Sequence, residues 1–139
     1  MPNVRLLTLL LALCTALPAF AGDKPDVVYH LADTDKVSFA LGNVRNHIKG
    51  VGGGDNVNIV LVMHGPAVRS FVDIEAVDKV RNKVKALQDD GVKFEVCANT
   101  MNAIGVTLDE MLPGMISADN GGVVRMAELQ SHGYLYIRP

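Results

Sequence analysis

The sequence cannot form an intrachain disulfide once its N-terminal segment is removed. Of its two cysteines, Cys14 lies in an apolar N-terminal stretch, and Cys97 is then alone. No basic block or stripe is present. Without the first 21 residues, 12 basic side chains stand against 15 acidic ones, a net charge of −3, which argues against a nucleic-acid partner. No CxxC, HxH or HxxxH spacing occurs, so the usual sequence signals of a metal centre are missing. A Ser-His-Asp pattern, a conspicuous carboxylate pair, internal repeats and low-complexity tracts are absent as well. Gly52-Gly53-Gly54 is no phosphate loop, because it follows a helix and no Lys-Ser/Thr comes after it.

The N-terminus reads as an export signal. Arg5 supplies a positive start, Leu6 to Leu17 an apolar run, and Ala19 and Ala21 a small-x-small cleavage site. The run falls short of the roughly 20 residues that span a bilayer, and no second apolar run is long enough. An uncleaved anchor is the competing reading, and the Ala-x-Ala site favours cleavage. Residues 1–21 are therefore expected to be a secretory signal peptide and residues 22–139 a single domain, large enough for one core. The expected location is periplasmic or secreted, with no membrane attachment after cleavage. Such compartments are usually oxidising, so a lone thiol there is buried and inert, paired between chains, or kept for chemistry.

Strand and helix patterns alternate along the rest of the chain. Compact apolar runs at Asp26–Leu31 and Val57–Met63 read as buried strands, and Val92–Cys97 alternates with period two. Met115–Ser117 and Tyr134–Ile137 complete five strands. Between them, Val37, Ala40, Leu41, Val44 and Ile48 share one helical face. Ile74, Val77, Val80, Val84 and Leu87 share another, behind an Asp73 cap. Asp33-Thr34-Asp35 offers capping chemistry to the first helix. Asn99 offers the same to a short helix ending near Gly105, Thr107–Leu112 reads as a further short helix, and Gly121-Gly122 opens the last, which carries Val123, Val124, Met126, Ala127 and Leu129. The expected fold is α/β: one three-layer domain with a mostly parallel five-stranded sheet flanked by helices. Right-handed crossovers then bring the carboxyl ends of the strands to one edge, where ligands bind in such sheets.

That edge collects the candidate chemistry. Cys97 closes the third strand just before a helix, where backbone N–H groups and the helix dipole favour a thiolate. A buried, inert thiol is the alternative. His30 and His64 close two other strands, and with Cys97 they can form an acid–base pair around a thiol or a thiolate–imidazole metal site. They can equally be two rings that satisfy loop backbone. In His64-Gly65-Pro66, Gly65 permits close approach of a ligand and Pro66 stiffens the turn. Gly65, Pro66 and Asn99 are the candidate ligand-binding positions. No cofactor is implied and no metal ligand is assigned. Gly121-Gly122, at a helix start, can hold a small anion.

The stretches "VVYHLADTDKVSFALGNVRNHI", "VLVMHGPAVRSF", "GVKFEVCANTM" and "GVVRMAELQSHGYLYIRP" together resemble the DsrE/DsrF-like family, nearest its small exported branch. The ordered set covers about Asp26 to Pro139, and a cysteine closing the third strand before Ala-Asn-Thr is its most specific element. The resemblance implies a five-stranded α/β sandwich and a homo-oligomer, trimer or hexamer. It also implies that Cys97 accepts sulfur as a persulfide, served by a sulfur donor or acceptor protein. His30, His64, Gly65 and Pro66 match the pattern of the exported branch. Relay members of the family act in the cytoplasm, so the leader separates this chain from their partners. Three functions stand open: an exported sulfur-handling protein using Cys97 with His30 and His64; a non-catalytic oligomeric module that binds a small ligand or metal beside those residues; and a purely structural role.

Overall fold

The computed structural model describes residues 23–139; the expected signal peptide lies outside them. Five strands, β1 (Asp26–Leu31), β2 (Asn58–Met63), β3 (Lys93–Cys97), β4 (Met115–Ala118) and β5 (Leu135–Ile137), form one sheet in the order β4-β3-β2-β1-β5. All four pairings are parallel. The helices are α1 (Val37–Gly50), α2 (Asp78–Asp89), α3 (Ala98–Ile104) and α4 (Gly122–Ser131). Among the described residues no helix is long and apolar enough to cross a membrane.

The handedness of parallel crossovers explains the layers. The chain steps from β1 to β4 in one direction across the sheet, and right-handed connections put α1, α2 and α3 on one face. The return from β4 to β5 runs the other way and puts α4 on the opposite face. The reversal falls between β1 and β5.

The two faces are unequally filled. On the α1/α2 side, Tyr29, Leu31, Leu61, Met63, Phe94 and Val96 pack with Leu41, Val44, Phe71, Val84 and Leu87. The rings of Phe71 and Phe94 lie 6.4 Å apart in a tilted pair. Each such side chain, fully buried, contributes about 1.5–3 kcal/mol. On the other side, Val28, Val60 and Val62 meet only Met126 and Leu129 of α4 in the buried cluster.

Several local expectations change. The second helix starts at Asp78, not after Asp73. The chain leaving β2 coils as a 3-10 helix, Gly65–Phe71, which buries Phe71 and spends the following residues in a loop. Ile74 and Val77 are therefore outside the core, at 94% and 63% exposure, and Asp73 is ion-paired to Arg81. Asp33 makes no capping bond; its carboxylate meets Arg138 at 3.2 Å. Cys97 itself occupies the cap position of α3, so Asn99 lies within the first turn. Thr107–Leu112 yields only a 3-10 turn, Leu108–Glu110. Of the apolar residues of α4, Met126 and Leu129 are buried, whereas Val123, Val124 and Ala127 are exposed.

Candidate functional site

Four side chains follow strand order along the carboxyl edge: Cys97 of β3, His64 just past β2, His30 of β1 and Tyr136 of β5. Alternation explains their common side. Val28 and His30 point to the α4 face of β1, as Glu95 and Cys97 do on β3, while Phe94 and Val96 point into the larger core.

His30 and His64 bond to each other. Their Nε2 atoms are 2.7 Å apart, their rings stack with centroids 4.8 Å apart, and His30 Nδ1 meets the Tyr136 hydroxyl at 2.5 Å. Such a contact requires that one nitrogen donate and the other accept, so the two rings cannot both be charged in it. Burial, followed by the neighbouring His64 and Arg138, pushes His30 down to about 4. Burial and Arg138 lower His64 as well. A pair of neutral rings supplies no positive charge to a thiolate near pH 7.

The groups around Cys97 are different ones. The thiol is buried, with 6% of its surface exposed. Burial is the largest single influence and pushes its pKa up. It is outweighed by the Thr100 hydroxyl and by the backbone N–H groups of Gly122, Thr100 and Asn99, so the thiol ionises below its ordinary value. These donors come from the starts of two helices, α3 and α4, whose dipoles act in the same sense. Among the described residues the sulfur makes no side-chain cap bond to α3 and neither imidazole hydrogen-bonds it; these polar groups act on it from nearby.

Two glycines make the arrangement fit. Gly121 has φ +94°, a conformation that side chains resist. A Cβ on Gly122 would stand 3.3 Å from the Cβ atoms of both Cys97 and His64. The backbone of α4 therefore lies directly against the sulfur's own side chain. The Gly121-Gly122 start expected to hold a small anion faces Cys97.

Thr100 links the sulfur to the loop after β2. Its Oγ1 accepts the Gly65 N–H at 3.0 Å. The same hydroxyl is one of the groups that lower the Cys97 pKa. Gly65, Pro66 and Asn99 line a cleft of about 560 Å³ together with Thr100, Arg69 and Ile104, a volume that suits a small ligand. Arg69 on its rim is held by Glu75 at 2.8 Å. Among the described residues no three His, Cys, Asp or Glu side chains converge closely enough to hold a metal ion, so Cys97, His30 and His64 share an edge without forming a ligand set.

Thr100, Tyr136 and the facing backbone of Gly122 join the site without being among the candidates that the sequence singles out. Thr100 had a readable signal: it stands three residues after Cys97, at the spacing that puts two side chains on one side of a helical turn. Tyr136 had none, since it reaches His30 across 106 residues of chain.

Comparison with known proteins agrees with this architecture. A protein of unknown function, MTH1491 from Methanobacterium thermoautotrophicum, shares 29% identity over 83% of this chain and 99% of its own, with a TM-score of 0.73. The ychN protein from E. coli shares the fold at 12% identity, covering 84% of this chain and 100% of its own, with a TM-score of 0.60. No curated protein matches. The model of the DsrE/DsrF-like family matches residues 31–139, from the end of β1 to the C-terminus. The chain therefore belongs to the DsrE/DsrF-like family.

Proposed function

We propose that this protein is an exported sulfur carrier that holds sulfane sulfur as a persulfide on Cys97. The observation that carries the reading is the place of Cys97 at the cap of α3 with the start of α4 packed on its side chain, where nearby N–H and O–H groups favour the anion that thiol chemistry needs. In the transfer step the Cys97 thiolate attacks the outer sulfur of a donor persulfide, R–S–SH. The Cys97–S bond forms and the donor S–S bond breaks. The donor leaves as R–S⁻, and the proton stays on the new Cys97 persulfide or passes to solvent. The donors that hold the thiolate also suit the persulfide anion. In this reading His30 and His64 form a neutral wall beside the site. Export is supported by Arg5, the Leu6–Leu17 run and the Ala19-x-Ala21 site. Family membership supports the sulfur relay as a class.

Assembly as a trimer or hexamer belongs to the same proposal. Val123 and Val124 of α4 and Leu135 and Tyr136 of the edge strand β5 are exposed apolar groups that a second copy would cover. Light scattering should give a mass of three or six chains, and a monomer would remove this part.

The test of the carrier is mass spectrometry of the native protein after exposure to inorganic polysulfide and removal of excess reagent. The expected result is a gain of roughly 32 Da per sulfur atom, on Cys97 and lost in Cys97→Ser. Recovery of unmodified native protein, with Cys97 modified only after unfolding, would reject it.

A second reading rests on the cleft lined by Gly65, Pro66 and Asn99: a binding module in which Cys97 is incidental. Ligand binding unaffected by Cys97→Ser, without persulfide formation in the wild type, would favour it.

A further inference from the structure

Two residues before Cys97, on the same face of β3, Glu95 is 5% exposed. A carboxylate leaves water only when it is paired. Its partner is Arg125 of α4, whose Nε donates to Oε2 at 2.6 Å and whose Nη2 donates to Oε1 at 3.0 Å. This forked geometry fixes direction as well as distance.

The spacing of the two contacts matters. Arg125 follows Gly122 by three residues, so both lie toward one side of α4. Glu95 precedes Cys97 by two, so both lie on one face of the strand. The helix is thus tied to β3 at Glu95–Arg125 and meets it again at Cys97–Gly122. The apolar contacts of α4 lie elsewhere: Met126 and Leu129 pack with Val28 of β1 and with Val60 and Val62 of β2. On its outer side Arg125 also reaches Glu128 at 3.5 Å.

We propose that the Glu95–Arg125 ion pair is a positioning clamp that sets α4 on β3 so that the Gly122 backbone at its start is held against the Cys97 side chain. The proposal rests on the reading of Cys97 as a working thiolate. Glu95 and Arg125 touch neither the sulfur donor nor the reacting atoms; they act through Gly122.

The experiment is the pH profile of Cys97 alkylation by iodoacetamide in the native protein, with folding checked by circular dichroism and melting. Glu95→Gln separates the clamp from simple charge effects. Removing a nearby negative charge, by itself, moves a thiol's ionisation midpoint down. Loss of the clamp moves it up. The expected result is an upward shift and about threefold to tenfold slower alkylation below the midpoint, the consequence of weakening one hydrogen bond to a charged group. Arg125→Lys keeps the charge and loses the fork, so it should shift the profile the same way; it also serves if Glu95→Gln does not fold. Glu128→Gln should leave the midpoint in place. Leu129→Ala should lower the melting temperature with the midpoint unmoved. An unchanged or lower midpoint in folded Glu95→Gln, or an equal shift in Glu128→Gln or Leu129→Ala, overturns the clamp. An ordinary midpoint in the wild type instead overturns the thiolate reading on which the clamp depends.

Discussion

Thr100→Val isolates the hydroxyl at the centre of the site. Valine keeps the branched shape and replaces the oxygen with a methyl group. Two things are lost: the bond accepted from the Gly65 N–H at 3.0 Å, and the hydroxyl whose nearness favours the Cys97 thiolate. A hydrogen bond to a charged group contributes about 1.5–3 kcal/mol. Loss of a contribution of that order raises the thiol's ionisation midpoint and slows alkylation below it by about tenfold or more. Burial, which opposes ionisation, then meets only the backbone donors of Gly122, Thr100 and Asn99. The orphaned Gly65 N–H costs about another 1 kcal/mol in folding stability. The assay is the pH dependence of alkylation, alongside urea unfolding. Thr100→Ser restores the hydroxyl and should return the midpoint most of the way. If Thr100→Val leaves the midpoint where it is, the hydroxyl does not hold the thiolate. If Ser and Val behave alike, any shift comes from packing.

Other outcomes follow from the same geometry. Gly122→Ala places a methyl group 3.3 Å from both Cys97 and His64; overpacking of this kind costs about 1–3 kcal/mol, or about 3–5 °C of melting temperature per kcal/mol in a domain of this size, read by calorimetry. His30 makes stability depend on pH. Burial, with His64 and Arg138, lowers its folded pKa to about 4, while the unfolded ring titrates near 6.5. The unfolded state therefore binds the extra proton first. Its contribution is fully present above about pH 6.5 and is lost as pH falls toward 4, by about 3 kcal/mol at full size and about 1–2 kcal/mol after solvent screening. Urea unfolding at pH 7 and pH 5 measures this, and His30→Gln should flatten the difference.

The layer plan was legible because its signals are local. Val60–Met63 is apolar on both faces, as strands covered on both sides tend to be, and Val27–Leu31 is so up to His30. The alternation from Val92 to Cys97 showed which side of β3 the sulfur takes. The start of α2 was not legible. Ile74 and Val77 fit a helical period with Val80, Val84 and Leu87, but the 3-10 coil after β2 absorbs the chain and leaves them in solvent. The burial of Glu95 was hidden because its partner, Arg125, is 30 residues away. The convergence of Cys97, His30 and His64 on one edge followed from strand ends. Their bonding did not, because the distinction between a ring that faces sulfur and a ring that faces another ring is set by side-chain geometry. The Gly121-Gly122 pair was readable as an anion-binding helix start, though not as one directed at the protein's own sulfur.

The most direct measurement is the ionisation midpoint of Cys97 in the native wild-type protein, followed by thiolate absorbance against the Cys97→Ser background. The donors around the sulfur place that midpoint below the ordinary thiol value of about 8.5. A midpoint at or above that value, in protein shown to be folded, would contradict a thiolate held ready for sulfur.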